Sequence, residues 1–303
     1  MLPTITIAVT TFKRSHSLLR LLTTLQDMKN HNCCLINKIL VIDNDGNKSA
    51  YQATNSVKGK FNIKYIVEGT RGIANARNAA INAVNSDFLC FIDDDELPSE
   101  QWLDELVKKQ KETNADCVYG PVYPVMPPTA PAWIKRGRFF DPPPFDENNP
   151  AISAGAGNLM ISCAFLKKTG LRFDERFNLT GGEDTFFIRQ GQKLHGMKII
   201  GAAKAAVTEP VSPERLKLCW LLRRKFRIGN GLALYERFEN APLQLRILRC
   251  IKGIARVVAG LAVLSTGVVF GRCMAARGLV MIAFGLGMLT GLMGFVFKEY
   301  TYS

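Results

Sequence analysis

The chain has 303 residues, of which 47% are hydrophobic, and carries a formal net charge of +13. This length is enough for one large α/β domain and a smaller appendage. The positive charge suits a partner with phosphates, such as a nucleic acid, an anionic bilayer or a phosphorylated ligand. The eight cysteines include no CxxC pair with a matching partner pair and form no disulfide framework, which argues against a zinc site and favours a reducing compartment.

Short apolar runs alternate with helical patterns over the first 120 residues. The opening segment MLPTITIAVTTFKR lacks a basic region followed by an apolar core, so it predicts a first strand and not a signal peptide. Strands are predicted at 5–9, 38–42, 63–67, 88–92 and 117–122. Helices are predicted at 17–28, 73–84 and 99–111. This alternation predicts an α/β fold with a mainly parallel sheet and helices on both faces.

Two acidic residues come directly after predicted strands. Asp43 follows one strand and Asp93 another. In open α/β sheets, ligands bind beyond the carboxyl ends of the strands. We therefore expect Asp43 and Asp93 to meet at one crevice.

The second half of the predicted catalytic region is less regular. Residues 124–150 contain eight prolines and predict an irregular excursion, either a binding loop or a plain connection. A glycine turn and strand are predicted at 155–163, and a helix at 183–194 begins after Gly181 and Gly182.

The acidic run Asp93-Asp94-Asp95-Glu96 is the most informative chemical signal. Four carboxylates at the end of a buried strand repel one another without a counter-charge, and Mg²⁺ or Mn²⁺ supplies one. Strand alternation predicts that Asp93 and Asp95 point to the same side and Asp94 to the other. An acidic turn that caps the next helix is the simpler alternative.

Other charged residues accompany this run. Arg71 and Arg77 lie upstream of it, and Arg77 suits either a diphosphate or a structural ion pair with an aspartate. Glu183 and Asp184 open a predicted helix, where they either complement the helix dipole or supply a general base. The three histidines do not cluster, so a histidine metal site is rejected.

A basic segment precedes an apolar tail. Its position beside apolar helices favours lipid headgroups over nucleic acid, although a solvated basic helix is the simpler alternative. Its cationic residues are Arg215, Lys217, Arg223, Arg224, Lys225, Arg227, Arg237, Arg246, Arg249, Lys252 and Arg256.

The tail itself has two apolar stretches. Residues 279–297 are uncharged and long enough to span a bilayer, and residues 257–271 are also apolar. Arg272 and Arg277 lie between them, which conflicts with the positive-inside rule if both stretches span. Two spans, a hairpin in one leaflet and a buried soluble hairpin all stay open. The predicted domains are 1–210 catalytic, 211–250 basic and membrane-proximal, and 251–298 apolar.

Seven motifs in order make the chain resemble family 2 glycosyltransferases of GT-A fold. They cover residues 4 to about 200 and are ITIAVTTFKR, VIDND, GIANARNAAI, FLCFIDDDE, GAGNLMISCAFLKKTG, FDERF and GGEDTFFIRQGQKLHG. The layout is also similar to bacterial transferases of the succinoglycan ExoM type, which extend lipid-linked oligosaccharides. The QxxRW motif of processive synthases is absent, and CWLLRRKF is the nearest stretch.

The resemblance implies roles for individual residues. Thr10 in the opening strand and Asp43 would contact the nucleotide, Asp93 and Asp95 would bind the metal and diphosphate, and Asp184 would be the catalytic base of an inverting displacement. The residues so assigned to donor binding are Thr10, Asp43, Arg71, Arg77, Asp93 and Asp94.

These features predict a non-processive transferase on the cytoplasmic face of the inner membrane. It would move a sugar from a nucleotide-sugar, first of all a UDP-sugar, to a lipid-linked or cell-envelope glycan. The alternative is a polyprenyl-phosphate sugar synthase, whose acceptor is already an anion. A hydrolase is disfavoured because the acidic run suits a metal, and a nucleic-acid binder is disfavoured because the basic segment lacks interleaved aromatic residues.

Overall fold

The computed structural model describes residues 1–28, 33–142, 144–150 and 154–299. Within them, the strands are β1 (Thr4–Thr11), β2 (Leu35–Asp43), β3 (Ile63–Val67), β4 (Phe88–Asp93), β5 (Leu97–Pro98), β6 (Cys117–Tyr119), β7 (Val122–Val125), β8 (Asn158–Ser162), β9 (Ile199–Gly201) and β10 (Val207–Pro210). The α-helices are α1 (Ser15–Asp27), α2 (Tyr51–Ser56), α3 (Ile73–Ala83), α4 (Trp102–Thr113), α5 (Ala132–Gly137), α6 (Cys163–Thr169), α7 (Glu183–His195), α8 (Leu218–Phe238), α9 (Leu243–Phe270) and α10 (Arg272–Leu292).

A seven-stranded sheet forms the centre of the first compact unit. Its strand order is β3-β2-β1-β4-β8-β6-β9. Strands β3, β2, β1 and β4 pair in parallel, whereas β8 runs antiparallel to both β4 and β6. The predicted mainly parallel sheet is therefore confirmed, with one reversed strand. A small sheet of order β5-β10-β7 accompanies it.

Strand alternation gives the large sheet two apolar faces. Ile7, Val41 and Ile92 belong to the core cluster that includes α1 and α4. Ala8 and Phe91 belong to the cluster on the other face, which includes α3, α6 and α7. In the central strands β1 and β4 both faces are covered, so their partly exposed side chains lie at or near the strand ends.

The predicted strand at 117–122 is two strands in the structure. β6 belongs to the large sheet and β7 to the small one, with Gly120 and Pro121 between them. Proline removes a backbone donor, so a continuous ladder across this point is not possible. A side chain at Gly120 would also collide with the backbone of Ala205.

The second compact unit is assembled from separate parts of the chain. It comprises Met126–Asp141, Leu179–Gly182 and the residues from Val211 onward. The proline-rich segment thus contributes α5 to this unit, where Ile134 shares an apolar cluster with Leu216 and Leu221. A single cut at residue 210, as the sequence predicts, does not separate the two units.

Helices α8, α9 and α10 dominate the second unit. Helix α9 runs through the predicted boundary at 250 and contains both basic and apolar residues. Within the described residues, α10 alone is long and apolar enough to cross a membrane, judged by length and composition. The two predicted spans are thus reduced to one candidate, and that helix includes Arg272 and Arg277.

Substitution of Gly72 tests how the loop before α3 is held in place. Its φ of +147° suits glycine, and a Cβ there would overlap the side chain of Asn178. We expect Gly72→Ala to lower the free energy of unfolding by about 1–3 kcal/mol. Gly69→Ala is the matched control, because a Cβ at Gly69 meets nothing within 4 Å. Chemical denaturation of both variants measures the difference, and equal stabilities would contradict the close packing of Gly72 against Asn178.

Candidate active site

The carboxyl ends of β1, β2 and β4 lie side by side at one edge of the large sheet. Thr10 is in register with Ile42 on one side and Asp93 on the other. The structure therefore brings Thr10, Asp43 and Asp93 to the same edge, as parallel pairing requires. Strand β8 is antiparallel, so its beginning, at Asn158 opposite Ile92, reaches this edge as well.

Asp43 holds the loop that follows β2. It is completely buried, and its carboxylate accepts hydrogen bonds from the backbone N–H groups of Asp45 (3.1 Å) and Ala50 (2.8 Å) and from the Tyr65 hydroxyl (2.6 Å). Both carboxylate oxygens thus have partners inside the protein. The structure shows Asp43 as an organiser of the loop, and its contact with a nucleotide base stays a prediction.

The loop before α3 is fixed by Asn44 and carries Arg71. The Asn44 side chain donates to the carbonyl oxygens of Glu68 (3.0 Å) and Thr70 (2.9 Å) and accepts from the Gly72 N–H (2.7 Å). The Arg71 guanidinium lies 4.5 Å from the centre of the Phe12 ring, just beyond β1. Arg71 is therefore beside the end of the central strand, at a distance typical of a cation–π contact.

The strand alternation predicted for the acidic run does not extend beyond Asp93. Strand β4 ends at Asp93, and Asp94 and Asp95 lie in a turn. Arg14 donates to both, at 3.1 Å to Asp94 and 3.0 Å to Asp95. The prediction that Asp94 points away from Asp95 is wrong for this reason, because alternation holds only within an extended strand.

Burial perturbs two carboxyl groups of this run. It raises the pKa of Asp94 to about 6, although the charge of Arg14 and a hydrogen bond from the Thr11 hydroxyl (2.7 Å) act in the opposite direction. Burial, followed by the charge of Asp93, raises the pKa of Glu96 well above its ordinary value. Glu96 in turn accepts from the backbone N–H of Asp93 at 3.1 Å. Asp94 and Glu96 thus form the buried support of the more exposed Asp93 and Asp95.

Arg77 joins the acidic run to the start of α7. It is buried, donates to Asp93 at 3.0 Å and forms an ion pair with Glu183. Its guanidinium also lies 5.6 Å from the centre of the Phe173 ring. Of the two roles predicted for Arg77, the structure displays the ion pair.

The two acidic residues at the start of α7 have different surroundings. Glu183 is buried, and burial raises its pKa to about 7, with Asp184 adding to the effect and Arg77 opposing it. Asp184 is partly exposed, and its Oδ1 accepts from the Thr185 N–H at 2.7 Å. Its Oδ2 faces Gly155, where a Cβ would lie only 3.3 Å away. Asp184 is therefore the member of the pair that is accessible from the edge of the sheet.

Negative charge exceeds positive charge in this cluster. Two guanidinium groups, Arg14 and Arg77, face six carboxyl groups: Asp93, Asp94, Asp95, Glu96, Glu183 and Asp184. The Asp93 and Asp95 side chains keep 38% and 19% of their surface exposed. An all-oxygen donor set with a deficit of positive charge fits Mg²⁺ or Mn²⁺.

The carboxylates of the acidic run cannot complete the coordination of a divalent ion by themselves. Among the described residues, the acidic run does not bring three ligand atoms within 4.8 Å of one another. Asp93 and Asp95 would hold an ion together with oxygens from outside the protein. This is the usual arrangement for Mg²⁺, which binds one or two carboxylates plus substrate phosphates.

Cys33, Cys34 and Asp104 do form such a cluster, at the amino end of β2. The Cys33 thiol donates to Asp104 at 2.7 Å. Burial raises the pKa of both thiols, that of Cys34 to about 11. Protonated thiols are poor metal ligands, and the absence of a zinc site stays a prediction from the cysteine pattern.

Sequence reasoning missed Arg14 and Thr11. Thr11 is the last residue of the central strand and Arg14 follows it, in the motif TTFKR, and both bind Asp94. A cation directly beyond β1 was the available signal, because the neighbouring strand ends in an acidic run. Glu183 as the partner of Arg77 could not be found from sequence, since 106 positions separate the two residues.

Loss of Arg77 should be costly because it leaves Glu183 buried without a counter-charge. We expect Arg77→Met to lower the free energy of unfolding by about 3–5 kcal/mol, and Glu183→Gln in the same chain to restore part of it. Arg176→Met is the control: its ion pair with Asp174 is at the surface, so about 1 kcal/mol or less is expected. Urea denaturation gives all the values, and additive effects of the Arg77 and Glu183 changes would contradict the coupling.

Comparison with known proteins identifies the family of the chain. The family model for Glycosyl transferase family 2 matches residues 6–172, more than half of the chain. The succinoglycan biosynthesis protein ExoM of Rhizobium meliloti (strain 1021) is 33% identical over 204 residues, which are 66% of this chain and 66% of that protein. The alignment thus covers just under two thirds of that relative.

Solved structures show the same fold at low identity. The chain is 16% identical to S. aureus TarS 1–349 in complex with UDP-GlcNAc, with a TM-score of 0.54 over 99% of this chain and 94% of that one. It is also 16% identical to the mannosyltransferase PcManGT from Pyrobaculum calidifontis in complex with GDP-Man and Mn²⁺, with a TM-score of 0.65 over 97% and 88% of the two chains. The chain therefore belongs to glycosyl transferase family 2 and has the GT-A-like α/β fold.

Proposed function

We propose that the protein is a non-processive, inverting glycosyltransferase that uses a nucleotide-sugar donor. The observation that carries this proposal is the link from Asp93 through Arg77 to Glu183. This link holds two groups at the same edge of the sheet. One is Asp93, a carboxylate of the kind that binds metal ions, and the other is the start of α7, which carries Asp184. Direct sugar transfer needs these two functions, charge stabilisation and proton removal, in one crevice.

The donor diphosphate is assigned to the side of Asp93 and Asp95. TarS has been solved with UDP-GlcNAc and PcManGT with GDP-Man and Mn²⁺, which supports a nucleotide-sugar donor and a divalent ion for this chain. A UDP-sugar is our first choice of donor. Thr10, Asp43, Arg71, Arg77 and Asp94 line or support this side of the crevice.

Asp184 is proposed as the general base. Its carboxylate takes the proton of an acceptor hydroxyl, and the acceptor oxygen forms a bond to the anomeric carbon. The bond between that carbon and the diphosphate breaks from the opposite face, and the nucleoside diphosphate departs with the electron pair. Attack from the opposite face inverts the anomeric configuration in a single step.

A bound Mg²⁺ or Mn²⁺ held by Asp93 and Asp95 would supply positive charge to the departing diphosphate, so a general acid is unnecessary. Glu183 differs from Asp184 in being buried against Arg77, and its role is to hold that guanidinium in place. Arg77 in turn fixes Asp93. The two carboxylates at the start of α7 thus have separate tasks.

The acceptor is proposed to be a lipid-linked or cell-envelope glycan at the cytoplasmic face of the inner membrane. The relative ExoM is a succinoglycan biosynthesis protein, which supports a polysaccharide precursor. Helix α10, by length and composition, supports membrane association. The absence of QxxRW from the sequence supports transfer of one sugar at a time.

Asp184→Asn tests the general base. We expect sugar transfer to fall by about 10²–10⁴-fold while donor affinity, measured by calorimetry, stays unchanged. Glu175→Gln is the matched control, since Glu175 is exposed and outside the crevice. Near-normal transfer by Asp184→Asn would instead favour a polyprenyl-phosphate acceptor, which is already an anion and needs no base.

Removal of divalent ions tests the donor side. We expect EDTA to abolish release of nucleoside diphosphate from the matching donor, and Mn²⁺ or Mg²⁺ to restore it. Asp93→Asn should weaken the metal-dependent part of donor binding, because it removes one anionic ligand. A screen of UDP-, GDP- and dTDP-sugars with lipid extract identifies the donor. Full activity in EDTA would exclude the proposed use of the acidic run.

A further inference from the structure

We infer that helices α8, α9 and α10 lie in the plane of an anionic bilayer surface, with one face of α9 in the lipid, and that none of them crosses the bilayer. This inference deepens the proposed membrane association and specifies its geometry. It concerns the second compact unit alone and does not depend on which sugar is transferred.

One face of α9 is apolar and exposed along most of the helix. Its members follow one another at intervals of three or four residues, which places them on a single face. They retain 50–68% of their surface and are Leu243, Ile247, Ile251, Ile254, Val258 and Leu261. This face, the α9 apolar face, runs for about 27 Å at about 1.5 Å per residue. An exposed apolar surface of this length marks an interaction site.

The opposite side of α9 packs against α10 and carries cations. At 3.6 residues per turn, Lys252 and Arg256 project away from the α9 apolar face. The Arg256 guanidinium lies 4.5 Å from the centre of the Phe284 ring. Residues 243–292 contain six basic residues and no carboxylate: Arg246, Arg249, Lys252, Arg256, Arg272 and Arg277. Arg249 is paired with Glu236 of α8, so the apolar face is flanked by an excess of positive charge, which is complementary to anionic lipid headgroups.

Glycine contacts set the register between α9 and α10. A Cβ at Gly253 would lie 3.4 Å from the carbonyl oxygen of Gly285, and one at Gly260 only 2.9 Å from that of Gly278. The two helices are therefore antiparallel, with Leu261 level with Arg277. By the same register, Thr266 is level with Arg272.

This register interleaves the charges of the two helices. Arg277 and Arg272 of α10 lie level with positions 261 and 266 of α9. Together with the cations of α9 itself, they place a positive charge at the levels of positions 246, 249, 252, 256, 261 and 266. Neighbouring charges are thus at most five residues, or about 8 Å, apart along the helix axis. A hydrocarbon core of about 20 helical residues placed anywhere on the hairpin contains at least four of them. Charged side chains in that position are costly, so a hairpin crossing the bilayer is disfavoured. This cost is not visible in the sequence, where each apolar stretch is considered without the charges of the other helix.

Helix α10 cannot cross without its neighbours. Its other side packs against α8, where a Cβ at Gly291 would lie 2.7 Å from the carbonyl oxygen of Asn230. The Asn230 side chain also donates to the Phe295 carbonyl oxygen (2.9 Å) and accepts from the Phe297 N–H (3.1 Å). Any path that takes α10 through the bilayer takes α8 with it, including its cationic Arg223, Arg224, Lys225 and Arg227.

Vesicle flotation of the full chain tests whether the α9 apolar face binds an anionic bilayer. We expect binding to vesicles that contain phosphatidylglycerol and much weaker binding to pure phosphatidylcholine. Ile251→Glu with Val258→Glu should reduce binding more than tenfold, because both side chains are exposed and apolar. Leu194→Glu is the matched control, since Leu194 is 63% exposed on α7. Arg246→Gln should cost about fivefold, as expected for one headgroup contact, because Arg246 is exposed and lies at the border of the α9 apolar face at 3.6 residues per turn.

The side of the membrane from which Cys273 reacts tests whether the hairpin of α9 and α10 crosses the bilayer. Cys273 lies beside Arg272, at the turn between α9 and α10, whereas Cys163 belongs to the catalytic unit. An impermeant maleimide is applied to right-side-out and to inverted membrane vesicles, and both cysteine peptides are quantified by mass spectrometry. We expect Cys273 and Cys163 to react from the same side.

Each alternative outcome overturns the inference. Reaction of Cys273 from the side opposite to Cys163 means that the hairpin crosses. Reaction of Cys273 only after detergent means that the turn lies in the hydrocarbon. Self-association that depends on Ile251 and Val258, without vesicle binding, assigns the α9 apolar face to a second copy of the chain. Nucleoside diphosphate release by the same samples shows separately whether the proposed function holds.

Discussion

The candidate site depends on a single buried guanidinium. Arg77 lies between Asp93 and Glu183, and without it two carboxylates from distant parts of the chain would have no shared partner. Burying a charge is tolerated only when it is paired, so the ion pair and the arrangement of the edge require each other. This pair joins the acidic run to the start of α7, where Asp184 lies.

Local sequence patterns predicted the strands of the large sheet that pair in parallel, and for one of them they also predicted its first and last residues. The strand at 63–67 is observed as predicted, because a short β-branched run with turns on both sides has few alternatives. The crevice was predictable from parallel pairing, which places Asp43 and Asp93 together. The partners of these residues were not predictable, since Arg14 with Asp94 and Arg77 with Glu183 join residues 80 and 106 positions apart. Strand alternation failed at Asp94 because the strand had already ended.

The C-terminal helices show how a hydropathy pattern misleads when helices pair. Residues 279–297 form an uncharged stretch, and taken alone they predict a bilayer span. The glycine contacts place that stretch level with the basic first half of α9. Charge along a helical hairpin is therefore a property of both helices together, and it becomes visible only once their register is known.

The discontinuous second unit also has a consequence for synthesis on the ribosome. Ile134 in α5 is completely buried against residues near Leu216 and Leu221, which are translated roughly 80 residues later. At about 5–20 residues per second, this interval lasts about 4–16 s. Throughout it, Trp133, Ile134 and Phe139 have emerged without their final partners, so the nascent chain offers a binding site to chaperones before its last helices exist.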